Sequence, residues 1–188
     1  MKKPIKLLLA ACLSLALFSC GNDSQRDSKE IAEDQNEAKF DDTKVEDDSE
    51  FAVEAAAGSL LEIRLGELAQ TKATSPQVKE FAKMMVDDHT KASEELKALA
   101  QQKGITLPAS LSSEHQKKYD DLNEKQGAEF DREYMNLMVK AHEDDVDEFE
   151  DQAEKGKDAE LKAWASGKVT TLRHHLEMAK TTRDQVKK

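Results

Sequence analysis

The sequence predicts an all-α fold, a bundle of four main helices with one short additional connecting helix. Three observations carry that expectation. From Phe51 onward the chain is rich in Ala, Leu, Lys and Glu at helical spacing, and no convincing period-two strand is present. Only Pro76 and Pro108 fall within residues 51–188. Four apolar stripes of similar length are separated by capping and breaking residues, so each needs the others to cover it.

The elements follow in order. Lys2, Lys3 and Lys6 precede the apolar run Leu7 to Phe18, which is 12 residues long. A membrane-spanning helix needs about 20, so residues 1–19 read as a signal peptide. The run closes on Leu17-Phe18-Ser19-Cys20, the pattern of a bacterial lipoprotein signal in which the cysteine thiol is lipidated before the leader is cut away. Cys20 is then the acylated first residue of the mature chain. The expected address is the cell envelope, as a lipid-anchored protein of the outer membrane facing the periplasm. Cys12 leaves with the leader, so no internal disulfide is expected. Losing the three leader lysines takes the formal charge from -11 to -14. So acidic a surface excludes nucleic acid as a partner and leaves cations and basic proteins.

Residues 21–50 carry 12 acidic and 4 basic residues, with Phe40 the only aromatic. Together with the lipidated Cys20 they are expected to form a disordered acidic tether, because burial is too small to offset ordering entropy. The helical domain then occupies 51–188. A first helix is expected from Phe51 to Lys72. A second opens at the Ser75 cap with Pro76 in its first turn and stops at Gly104. Ser112 or Ser113 starts the short connector, ending near Gly127. The third main helix runs from Ala128 to Lys155 and stops at Gly156, and the fourth runs from Asp158 to the last residues.

Each apolar stripe is interrupted by one polar, metal-capable residue. The first helix carries Glu62 between Gly58 and Leu65, the second His89 between Met85 and Ala92, the third His142 after Met138, and the fourth His175 after Leu172. All four stand close to their helix midpoints, which lie at about the same level in a bundle of near-equal helices. The expectation is one buried layer of three imidazoles and a carboxylate, a donor set suited to zinc or copper. Met85, Met138, Asp145 and Met178 are secondary candidates, since thioethers one turn from the histidines would favour Cu(I). A di-iron centre is disfavoured. Its Glu-x-x-His motif is absent, because Val86, Val139 and Leu172 hold the position three before each histidine. His115 and His174 are expected to face solvent, and Trp164 and Tyr134 to pack.

The matching segments Leu61-Glu62-Ile63, Met85-Val86-Asp87-Asp88-His89, Phe130-Asp131-Arg132-Glu133-Tyr134 and Leu172-Arg173-His174-His175-Leu176 resemble a bacterial domain-of-unknown-function family labelled as outer membrane proteins and grouped with ferritin-like helical bundles. The resemblance implies a ferritin-like four-helix bundle exported to the envelope, with no established enzymatic activity. The stretch Gly167-Lys168-Val169-Thr170 departs from it by lacking a proline.

Three functional readings follow. The first is a lipoprotein with a non-enzymatic binding domain that holds a transition metal at Glu62, His89, His142 and His175. The second is a structural or stress-protective interaction protein without metal. Its acidic third helix, including Glu143, Asp144, Asp147, Glu148, Glu150 and Asp151, would meet a basic protein partner. The third is a metal-dependent redox enzyme. No phosphate loop, mature cysteine nucleophile or Ser-His-Asp arrangement supports other chemistry.

Overall fold

The computed structural model describes residues 26–41 and 45–187, so the leader and Cys20 lie outside the described residues. Among the described residues the chain is all-helical: α1 (Ser28–Phe40), α2 (Glu46–Lys72), α3 (Pro76–Lys103), α4 (Ser113–Asn123), α5 (Gly127–Lys155) and α6 (Ala159–Val186). The long elements α2, α3, α5 and α6 have 27 to 29 residues each, and α4 is the expected short connector. None of the described helices is long and apolar enough to cross a membrane.

The helix ends follow local chemistry. Ser75 accepts from the Val78 N–H with Pro76 in the first turn, and Asp158 accepts from Glu160 and Leu161. Gly104 takes the left-handed conformation at φ 69°, and the Ile105 N–H reaches back to the Ala100 carbonyl at 2.9 Å. A side chain there would be strained, and the glycine ends α3 cleanly.

Helix α2 packs on α3 and α5, and α6 on α5 and α3, closing a ring of four. Two apolar clusters fill its interior. One gathers Leu65, Phe81, Met85, Tyr134 and Met138; the other gathers Phe51, Leu96, Phe149, Leu161 and Leu172. Reading these clusters along the chain, α2 and α6 run one way and α3 and α5 the other, so every packed pair is antiparallel. The approach of α2 to α3 is close at Gly66, where an added Cβ would stand 2.8 Å from Val86 Cγ2.

Two buried carboxylates lock the helix pairs together, and sequence reasoning missed both. Asp131 of α5 accepts from the backbone of Thr74 (2.9 Å) and Ser75 (2.8 Å) in the α2–α3 turn. Asp48 of α2 accepts from Lys157 N (3.1 Å), Asp158 N (2.5 Å) and Gln152 Nε2 (2.7 Å) at the α5–α6 turn. Each hairpin thus supplies an acceptor for the orphan N–H groups at the other's turn. This reciprocal clamp fixes the relative height of the helices and so the level at which their midpoints meet.

The expected tether is corrected over its described part. Residues 28–40 form α1, and α2 begins at Glu46 rather than Phe51. The physical reason is a few specific anchors that average composition conceals. Asn36 exchanges hydrogen bonds with the backbone of Thr106 at 2.7 and 2.8 Å, and Ser28 Oγ accepts from Ala109 N at 2.9 Å. Asp27 accepts from Ser113 N, and Ala32 is buried. His115 is half-buried rather than solvent-facing.

Candidate metal centre

The layer lies where the two apolar clusters meet, and it contains all four residues that interrupt the stripes. Glu62, His89, His142 and His175 are 2, 4, 0 and 1% exposed, respectively. The three imidazoles form a near-equilateral triangle, with ring centroids 5.5 Å apart for His89–His142, 5.6 Å for His89–His175 and 5.4 Å for His142–His175. One ring nitrogen from each lies within 4.8 Å of the other two.

Each ring is held at one nitrogen and unpartnered at the other. His142 Nδ1 stands 2.9 Å from the Met138 carbonyl, as donor, and 3.2 Å from Glu62 Oε1. His89 Nδ1 stands 2.8 Å from Glu62 Oε2. His175 Nε2 donates to Asp88 Oδ2 at 2.9 Å. The remaining nitrogens, Nε2 of His89, Nε2 of His142 and Nδ1 of His175, are buried with no hydrogen-bond partner. When metal-bound histidines are oriented by carboxylates or carbonyls, the far nitrogen holds the ring and leaves the near one as a lone-pair donor. The tautomers here follow from those contacts.

Electrostatics favour the ligating form of the rings. Burial pushes the pKa of all three histidines below the ordinary imidazole value, against the upward pull of neighbouring carboxylates. Neutral imidazole is the form that binds a metal. Burial raises Glu62, and the nearby His142 draws it back. Asp145 is raised well above the ordinary carboxylate range, by burial first and by the Glu62 charge next. Asp145 therefore favours its neutral form beside Glu62. Glu62, His142 and Asp145 also bring one ligand atom each within 4.8 Å of one another.

Met85 and Met138 are fully buried in the apolar cluster beside the layer, and Met138 serves the site through its backbone carbonyl. Met178 lines a separate surface groove with the exposed His174. Trp164 packs on Phe51 and Phe149 and donates to Glu95 at 3.2 Å, whereas Tyr134 is buried with its hydroxyl unpartnered. Asp88 was missed by sequence reasoning, which followed only inward-facing positions. Its carboxylate is 47% exposed and reaches His175 from the rim. The acidic face of α5 is largely paired within the chain: Glu143 with Lys180, Asp144 with Lys140, Asp151 with Lys155 and Glu150 with Arg173.

The residues present fit a tetrahedral-type transition metal. One ring nitrogen from each of three histidines lies close to the others, each ring is oriented by an outer partner, and two nearby carboxylates, Glu62 and Asp88, would offset an ion's charge.

Comparisons with known proteins agree on the fold. A family model described as Domain of unknown function (DUF4142) matches residues 32–182. No curated protein matches the chain. Among the solved structures that resemble it are two described as CopM in the Cu(I)-bound form and CopM in the Cu(II)-bound form. Each superposes with a TM-score of 0.63 and covers 73% of this chain and 96% of its own, at 20% and 19% identity.

Proposed function

We propose that this chain, which belongs to the DUF4142 family, is an envelope lipoprotein that binds one transition-metal ion through His89, His142 and His175. The observation that carries the reading is the triangle of buried rings, each anchored at one nitrogen and unpartnered at the other. A purely structural polar layer is disfavoured by the same fact. It would leave three buried ring nitrogens unpaired, at about 1–3 kcal/mol each.

Copper is placed ahead of zinc because the similar solved structures are described in copper-bound forms. The nitrogen donor set alone accepts either metal. Glu62, Asp88 and the Met138 carbonyl orient the rings, and Asp145 supports Glu62. The architecture is read as a ferritin-like four-helix bundle, since the hairpins α2–α3 and α5–α6 are joined by one long crossover containing α4. Attachment is through lipid at Cys20, and Cys20→Ser is expected to release the protein from outer-membrane fractions.

The test is elemental analysis followed by copper and zinc titration of the untagged Cys20→Ser chain without its leader, alongside His89→Ala and His175→Ala. Uptake of one equivalent by the parent, with tight uptake lost in both variants, supports the reading. No stoichiometric uptake by the parent, or uptake unaltered in both variants, overturns it.

A further inference from the structure

A cavity of about 120 Å³ opens from the histidine layer toward the surface. Glu62, His89, Asp145 and His175 contribute to its wall, whereas the fully buried His142 does not. It extends past Ser59, Ala92 and Trp164 to the seam between α3 and α6, where the exposed Lys91 and Thr171 mark its mouth. Two of the three rings therefore border a space large enough for about four water molecules, at about 30 Å³ each.

Resting on the metal reading above, we infer that this cavity is an exogenous-ligand site. It would admit a ligand of a few heavy atoms to an ion held by the three histidines.

Three observations argue for it. Three protein ligands with an open fourth position is the arrangement of metal sites that exchange a ligand, whereas closed structural sites use four. The cavity borders His89 and His175, whose unpartnered ring nitrogens are the ones assigned to the ion, so an ion held there would lie beside the cavity. Its lining carries the carboxylates of Glu62, Asp88 and Asp145 against Lys91 and Lys168. With Glu95, which pairs with Lys168, counted beside the three acids, a divalent ion bound to the rings would bring the lining to neutrality, so a small ligand would meet no net charge there. The volume sets the size at a few heavy atoms, which excludes nucleotides, peptides and sugars. Lys168 is held in the wall by its ion pair with Glu95 and by lying 5.9 Å above the Trp164 ring.

The probe is sodium azide, titrated into the Cu(II)-loaded chain and followed by the ligand-to-metal charge-transfer band. Ala92→Phe and Ser59→Leu fill the cavity from α3 and α2 without touching a histidine. Both are expected to keep one equivalent of copper while weakening azide about tenfold or more. Circular dichroism identifies a variant that has lost its helices, and the other then carries the comparison. Copper bound at one equivalent with no azide band in the parent, or with equal azide affinity in parent and folded variants, overturns the ligand site and leaves the metal reading standing. Absence of stoichiometric copper in the parent overturns both.

Discussion

Replacing Asp88 with alanine separates metal affinity from fold stability. The Asp88 carboxylate makes the 2.9 Å contact that holds His175 Nε2, yet it is half exposed and lies outside the ring triangle. Loss of an outer partner that orients a metal-bound histidine typically costs 10- to 100-fold in affinity, about 1.4–2.8 kcal/mol. The metal-free fold should lose only about 1 kcal/mol, because a hydrogen bond to a carboxylate open to water is largely replaced by solvent. Asp87→Ala is the control. It removes a like charge one residue away, but its partner is Lys83 on the helix surface, so metal affinity should hold and stability should scarcely change. Chelator competition reads the affinity and urea unfolding reads the stability. An Asp88→Ala affinity within about twofold of the parent, or a loss matched by Asp87→Ala, would refute the claim that Asp88 positions His175.

Further predictions concern the scaffold. Asp48→Ala strands two backbone N–H groups and the Gln152 amide at the α5–α6 turn, and is expected to destabilise by about 2–4 kcal/mol in urea unfolding; a change below about 1 kcal/mol would show that the clamp is not needed. Gly66→Ala drives a methyl against Val86 and the Ala82 carbonyl, with an expected loss of about 1–3 kcal/mol, and a neutral result would mean that α2 and α3 separate freely. Burial raises Glu148 to about 7, above its unfolded value. The folded chain therefore holds a proton that the unfolded chain releases, and stability falls as pH rises from about 4.5 to about 7. Glu148→Gln should reduce that decline and stabilise the protein at neutral pH; an unchanged pH profile of thermal unfolding contradicts the assignment.

The long helices were legible because their ends are local. Ser75 with Pro76, Gly104, Ser112 and Asp158 act within a few residues of sequence, and each caps or stops a helix as expected. The layer was legible for a related reason: a histidine or glutamate in an apolar stripe is conspicuous, and near-equal helices bring their midpoints together. What could not be read was anything decided across the chain. Asp48 and Asp131 look like surface acids until the opposite hairpin's turn closes over them. Asp88 faces away from the α3 stripe and reaches the site only because α6 packs beside it. The segment around Asn36 has the composition of a solvated tether, yet two backbone-pairing hydrogen bonds to Thr106 hold it on the domain. Spacing placed Met138 near His142 correctly, but it is the carbonyl that touches the ring.

The central claim is tested most directly by an anomalous-diffraction crystal structure of the copper-loaded or zinc-loaded protein. The account predicts one strong metal peak inside the helical ring, bonded at about 2.0–2.1 Å to Nε2 of His89, Nε2 of His142 and Nδ1 of His175. Asp88 and Glu62 should remain on the far nitrogens of His175 and His89. Metal confined to surface carboxylates or to the His174–Met178 groove, with the three core rings unbound, would contradict it.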